Sequence, residues 1–334
     1  MSLFLKSSLL ICLTLPAWAG STTAPASQNE ASTLFPASLL QISETDAFSR
    51  YVFLVDKEQR KLSVFERNGE EIKKVQEYPA DIGKLGGNKT KRDDHRTPEG
   101  IYFLQKKLTQ PEIPFNLYGN LAFTTNYPNL FDQREKKTGS GIWLHAIPDT
   151  VALTRGSRGC VVVRNEVIKK LEDFVKLNET PILIFDHVDY ITKDEHEKRR
   201  QNLTAFIENW RQSWEKQDID KYMSFYDADF KAPGFNFASW KNHKANLKKN
   251  YEFIKVHLSQ PYIVQHNEQL LVKTLQRYES DKHVDYGVKT IYAVKSGDTY
   301  KIIREEWTHF SEKAVSAAIA KENSLTVQAN QAQQ

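Results

Sequence analysis

His145 and Cys160 stand fifteen positions apart and are the residues best suited to chemistry. The histidine lies in Gly141-Ile142-Trp143-Leu144-His145-Ala146 and the cysteine in Ser157-Arg158-Gly159-Cys160-Val161-Val162-Val163. A free thiol ionises near pH ~8.5, and an adjacent imidazole or positive charge turns it into a nucleophile at neutral pH. The pattern places His145 at the end of one strand and Cys160 at the start of the next, so neighbouring antiparallel strands are expected to bring the two together. Gly159, without a β carbon, lets the backbone bend tightly. The Arg158, Gly159 and Cys160 amides are then expected to point at one oxygen as an oxyanion hole. A structural cysteine, packed as a small hydrophobe, is the competing reading, and these residues alone leave the two open.

Cysteine usage bears on that choice. Lys6, the apolar run Ser7 to Leu15 and the small residues Ala17 and Ala19 read as a secretory signal over residues 1–19. Its removal takes Cys12 away and leaves Cys160 as the single thiol of an exported, periplasmic chain. No internal disulfide can form, and a lone thiol in an oxidising compartment asks for a reason. The 46 basic and 42 acidic residues are interspersed, which argues for a solvated surface and against nucleic acid as the main partner. Beyond the signal, no segment approaches the roughly twenty apolar residues of a membrane span. One mature cysteine and scattered histidines lack the paired spacing of a zinc site, so no metal is expected.

The elements that must position the pair follow from periodicity. Residues 20–47, rich in Ser, Thr, Ala and Pro, read as a flexible leader. Residues 48–188 read as a mainly β domain with one or two short helices. Its strands are Tyr51 to Asp56, Lys61 to Glu66, a run through Val75 after the Asn68-Gly69 turn, Ile101 to Leu104, Leu121 to Thr125, Gly141 to Ile147, Cys160 to Val163 and Pro181 to Phe185. Glu166 to Leu177 carries Val167, Leu171, Phe174 and Val175 on one helical face. Around residue 190 a charged helix start marks a second domain, residues 192–310, with helices first and antiparallel strands later. Residues 311–334 read as a frayed helix and a polar tail.

The first domain resembles the L,D-transpeptidases with a YkuD-type catalytic domain. Their signature is a His, a variable loop, then Ser/Thr-His-Gly-Cys and a hydrophobic residue; His145, Ser157, Gly159, Cys160 and Val161 match it. Arg158 replaces the usual His, and Val162 stands where Asn is common. Arg96-Thr97-Pro98-Glu99-Gly100 matches the family's Arg-Thr-Pro-x-Gly segment. The resemblance implies a β-sandwich with short helices and acyl transfer at the L-to-D bond of peptidoglycan tetrapeptide stems. Cys160 would attack the diaminopimelyl carbonyl, D-alanine would leave, and the thioester would pass to an amine or to water. It also implies no cofactor, and a base, His145, oriented by a backbone carbonyl, here assigned to Ala146. Arg158, Ser157, Arg96, Tyr118 and Trp143 are the candidate substrate contacts. For Arg96 a turn-stabilising role, and for Trp143 core packing, are the stronger alternatives.

The second domain resembles the NTF2-like fold, an α+β cone whose aromatics, Trp240 and Trp307 among them, form either core or the lining of a pocket for an unknown small ligand or glycan. A YkuD-type domain with Ser-Arg-Gly-Cys followed by an NTF2-like domain is similar to the cell-shape-determining L,D-carboxypeptidases, which favours water as acceptor. Cross-linking or protein attachment by transpeptidation is the alternative within the enzyme class. An inactive module that holds wall peptides is the alternative outside it. Whether two chains pair as a homodimer, through residues 20–47, is open.

Overall fold

A computed structural model describes residues 34–68 and 71–321. The signal, the first part of the leader, the tip of the Asn68-Gly69 turn and residues 322–334 lie outside the described residues.

In the first half, eight strands form one curled sheet, folded into two layers. The long strand Gly100–Thr109 makes the corner: its first residues pair with Pro181–Phe185, its later ones with Leu121–Thr125, across a register shift between Leu104 and Lys107. One layer runs outward from Pro181–Phe185 through Tyr51–Asp56 and Lys61–Asn68 to Glu71–Pro79, the other from Leu121–Thr125 through Trp143–Ile147 to Val161–Arg164. The layers meet again at the far side, where Asp81 bridges Val162. Three short helices, Phe115–Tyr118, Leu130–Arg134 and Asn165–Glu172, accompany the sheet. The last begins and ends earlier than its periodicity suggests, because Phe174 and Val175 turn back onto the core by hydrogen bonds to the Leu171 and Glu172 carbonyls.

Continuous apolar runs such as Tyr51-Val52-Phe53-Leu54-Val55 and Ile182-Leu183-Ile184-Phe185 are explained by burial on both faces. Phe53, Val55, Ile182 and Ile184 point into the sandwich core. Val52, Leu54, Leu183 and Phe185 point outward, where they pack with Tyr262, Val264, Leu271 and Leu275 of the second half. The two halves therefore share a core.

The second half wraps the Lys193–Glu215 helix and two shorter helices, Ile219–Met223 and Phe237–Asn250, onto a twisted antiparallel sheet. Its long strands Gln269–Ser280, Val284–Ser296 and Thr299–His309 are the expected later strands, and Ser296 pairs with Thr299 where the last two meet in a turn. The Ile254–Leu258 and Tyr262–His266 strands were not anticipated.

Two terminal expectations need correction. The end of the supposed leader is ordered: Phe35–Pro36 pairs with Tyr190–Ile191, and Leu39–Gln41 adds a strand to the second sheet beside Tyr262–His266. Leu39, Leu40 and Ile42 are buried there. Each such side chain contributes about 1.5–3 kcal/mol, which offsets the roughly 1–2 kcal/mol of backbone entropy lost per ordered residue. Residues 312–321, expected to fray, form a helix that buries Val315 and Ile319, one turn apart, in the shared core.

Candidate active site

His145 and Cys160 do meet in one cleft, but by parallel rather than antiparallel pairing. Trp143–Ile147 and Val161–Arg164 run side by side in the same direction, with Leu144 opposite Val161 and His145 opposite Val162. Parallel neighbours need a crossover of about a dozen residues. Here the chain between Ile147 and Val161 provides it, through the 3-10 turn Leu153–Arg155 and the Gly156–Cys160 loop. Strand alternation sends Leu144 and Ala146 into the sandwich core and leaves His145 on the opposite face.

The loop before Cys160 is held on both sides by Asp81, which the sequence reading missed. Its backbone exchanges hydrogen bonds with Val162 (2.7 and 2.8 Å), and its carboxylate accepts the Gly156 N–H at 2.8 Å. Arg60 pairs with that carboxylate. A lone buried acid between Ala80 and Ile82 was the available signal. Gly159 has φ +129°, and a β carbon there would stand 2.7 Å from the Arg96 carbonyl oxygen. That close approach requires glycine.

His145 is 4% exposed, and its Nδ1 lies 2.6 Å from the Ala146 carbonyl oxygen. Nδ1–H donates to the Ala146 carbonyl, which leaves Nε2 unprotonated in the neutral ring. Burial pushes the His145 pKa down to about 4, and the nearby Arg155 charge acts in the same sense. Cys160 is half-buried, and its Sγ–H donates to the Gly141 carbonyl at 3.5 Å. Desolvation pushes the thiol up to about 11, against the pull of the Trp143 backbone N–H and of Lys89. The two values stand in the wrong order for a preformed thiolate–imidazolium pair. They favour a neutral thiol beside a neutral imidazole.

The cleft has a volume of about 670 Å³ and contains His145, Cys160, Tyr118, Ser157 and Arg158. The Tyr118 ring stands edge-on to His145, 5.0 Å between centroids. Trp143 packs on Tyr118 at 4.9 Å and does not line the cleft. Arg96 also lies outside it; its guanidinium packs against Gly87, in keeping with the turn-stabilising alternative. Ser157 lines the cleft, but its hydroxyl is engaged within the loop. It is buried, its hydroxyl donates to the Cys160 carbonyl at 2.7 Å, and it accepts the Gly159 N–H at 3.0 Å. That second bond also removes Gly159 from the expected oxyanion donors and leaves the Arg158 and Cys160 amides. The Arg158 side chain is exposed at the mouth and meets Asp93 at 3.2 Å.

Among the described residues, no group of three or more His, Cys, Asp or Glu is placed to hold a metal, and no helix is long and apolar enough to cross a membrane. In the second half, Trp214, Trp240 and Tyr222 surround the buried Lys244, with its Nζ 4.0 Å from the Trp214 ring centroid and 4.5 Å from that of Trp240. Trp307 donates to Asp285 at 3.1 Å, and Lys289 Nζ lies 5.4 Å from its ring centroid.

Residues 50–184 match the model of the L,D-transpeptidase catalytic domain, YkuD, and residues 202–306 that of the Cds6 C-terminal NTF2-like domain. Among solved structures, the chain is similar to Bd1075 of Bdellovibrio bacteriovorus, with 78% identity and a TM-score of 0.79 over 84% of this chain and 100% of that one. It is also similar to the helical cell shape determining protein Pgp2 of Campylobacter jejuni, with 27% identity and a TM-score of 0.65 over 81% and 95% of the two chains. YafK of Escherichia coli K12 is 27% identical over 122 residues, 36% of this chain. That match spans 44% of the curated relative's length.

Proposed function

The chain belongs to the YkuD family of L,D-transpeptidases, with a C-terminal NTF2-like domain, and from that premise we propose that it trims peptidoglycan tetrapeptide stems as an L,D-carboxypeptidase. The observation that carries the acyl-transfer reading is the His145–Ala146 hydrogen bond beside Cys160 in one cleft. As the Cys160 sulfur adds to the diaminopimelyl carbonyl, its proton passes to His145 Nε2. The oxygen gains negative charge opposite the Arg158 and Cys160 amides. Collapse breaks the bond to D-alanine, whose nitrogen takes the proton from His145, and a thioester remains on Cys160. Water then attacks the thioester and gives one proton to His145, which returns it to the departing sulfur, while the new carboxyl group of the tripeptide loses the other proton to solvent.

Water is favoured over an amine by the charge of the cleft. Lys84, Lys89, Arg92, Arg155 and Arg158 line it against one acid, Asp93. A protonated amine acceptor is repelled by that field, whereas the donor stem's carboxylates are attracted. Work on the cell wall also fits export by way of the signal read in residues 1–19. The likeness to a helical cell shape determining protein supports a role in cell shape.

Incubation of the purified mature protein with tetrapeptide muropeptides, followed by mass analysis, tests this reading. Tripeptide and free D-alanine are expected. Cross-linked dimers would replace hydrolysis by transfer. Absence of both products, together with no covalent carbapenem adduct on Cys160, would overturn the enzyme reading.

A further inference from the structure

The five cations of the cleft differ in how they are held. Lys89 is buried and fixed by Asp94 at 2.8 Å and by the Lys91 carbonyl at 3.0 Å. Arg158 is engaged by Asp93, the one acid of the lining. Lys84, Arg92 and Arg155 have no ion-pair partner among the described residues. They come from three segments: Lys84 just beyond Gly83, which bridges Ser157; Arg92 in the loop before Asp94; and Arg155 at the end of the 3-10 turn. Three exposed cations without ion-pair partners in one cleft repel one another, and a polyanionic ligand relieves that repulsion.

Resting on the stem-peptide reading of this cleft, we propose that Lys84, Arg92 and Arg155 select stems with free carboxylates and discriminate against stems in which those carboxylates are amidated. Amidation replaces an anion by a neutral group of nearly the same shape, so size cannot account for the discrimination. What changes is charge and hydrogen bonding: a guanidinium grips a carboxylate through two parallel N–H···O bonds, and an amide offers one acceptor and two clashing donors. Arg155 is the principal reader. Its field reaches His145, and the next residue, Gly156, is tied to Asp81, so its backbone is anchored while its side chain is exposed.

The test compares kcat/KM of the full mature chain on matched tetrapeptide muropeptides with free or amidated carboxylates, at about 50 and about 500 mM salt. The amidated stem should be cut about tenfold less efficiently at low salt, the equivalent of one charge-assisted hydrogen bond. The gap should narrow at high salt, where exposed charges are screened. Arg155→Gln should narrow it too, by slowing the free-carboxylate stem more than the amidated one. Equal rates on both stems overturn this proposal and leave the enzymatic reading intact. So does a gap that neither salt nor the triple variant of Lys84, Arg92 and Arg155 to Gln alters. If neither stem is cut and no carbapenem adduct forms, the enzymatic reading fails and takes this one with it.

Discussion

Cys160 of the free protein should alkylate slowly at neutral pH, even though it is the proposed nucleophile. Its thiol is pushed up to about 11 by desolvation and His145 down to about 4. At pH 7 about one thiol in ten thousand is then ionised, against about three in a hundred for an unperturbed cysteine of pKa ~8.5. Iodoacetamide should therefore react about 300-fold more slowly than with a model thiol, its rate climbing about tenfold per pH unit to beyond pH ~9. The ultraviolet absorbance of thiolate gives an independent readout. Hydrolysis of a muropeptide should behave differently. The active form pairs a neutral thiol with a neutral imidazole, and both are held from above pH ~4 to below pH ~11, so kcat/KM should be level over about pH 5.5–9. His145→Ala should lower kcat by about 10²–10⁴ without raising alkylation at pH 7. An alkylation plateau already present at pH 6–7, with a thiolate signal that disappears in His145→Ala, would refute the neutral resting pair.

Ser157→Ala removes the hydroxyl shared between the Cys160 carbonyl and the Gly159 amide, and should cost about 1–3 kcal/mol in denaturant unfolding together with a fall in kcat rather than a rise in KM. Gly159→Ala forces a β carbon against the Arg96 carbonyl at positive φ, and carbapenem acylation of Cys160 should be lost even where circular dichroism shows a folded chain. Asp81→Asn keeps an acceptor for Gly156 but loses the charge that raises the His145 pKa, so the acid limb of kcat/KM should move to lower pH while kcat falls about tenfold; an unmoved limb would assign Asp81 a purely structural role. His266 donates to the Ile184 carbonyl across the two halves, and burial holds its pKa down at about 4. The unfolded chain takes that proton below pH ~6.5 and the folded chain only near pH ~4, so about 3 kcal/mol of stability present above pH ~6.5 should be lost between those values. His266→Gln should flatten that part of the unfolding free energy's pH dependence.

Much of the site was legible because it is local in sequence. His145, Ala146 and the Gly159-Cys160 turn are fixed by strand alternation and by a backbone that only glycine permits. The pairing direction was not legible, since fifteen residues suffice for either a long hairpin or a crossover, and nothing in residues 148–156 distinguishes them. Asp81 escaped for a related reason: its partners Gly156 and Val162 lie far along the chain, and a single acid after a strand reads as a turn residue. The role of Ser157 is a matter of direction. A hydroxyl beside a nucleophile suits substrate binding until its two internal partners are seen. The shared core was visible only as an excess. Runs with no polar alternation in Tyr51–Asp56 and Pro181–Phe185 imply two covered faces, but they do not say what covers the second.

A neutral pair also bears on how Cys160 resists oxidation. Oxidation and mixed-disulfide formation, like alkylation, proceed through the thiolate. A preformed thiolate–imidazolium pair would be reactive at all times, whether or not a stem occupied the cleft. Desolvation and the hydrogen bond to Gly141 favour the protonated thiol, so in the proposed mechanism the reactive species would arise only as His145 accepts the proton during attack on a bound carbonyl. Of the cations of the cleft, Lys89 lowers the thiol's pKa, but by less than burial raises it, and the proposed role of the others is toward the stem's carboxylates. The same burial that protects the sulfur makes turnover dependent on how closely a stem approaches the Arg158 and Cys160 amides. A substrate that binds the cationic mouth but leaves its carbonyl short of those donors should occupy the cleft without acylating Cys160.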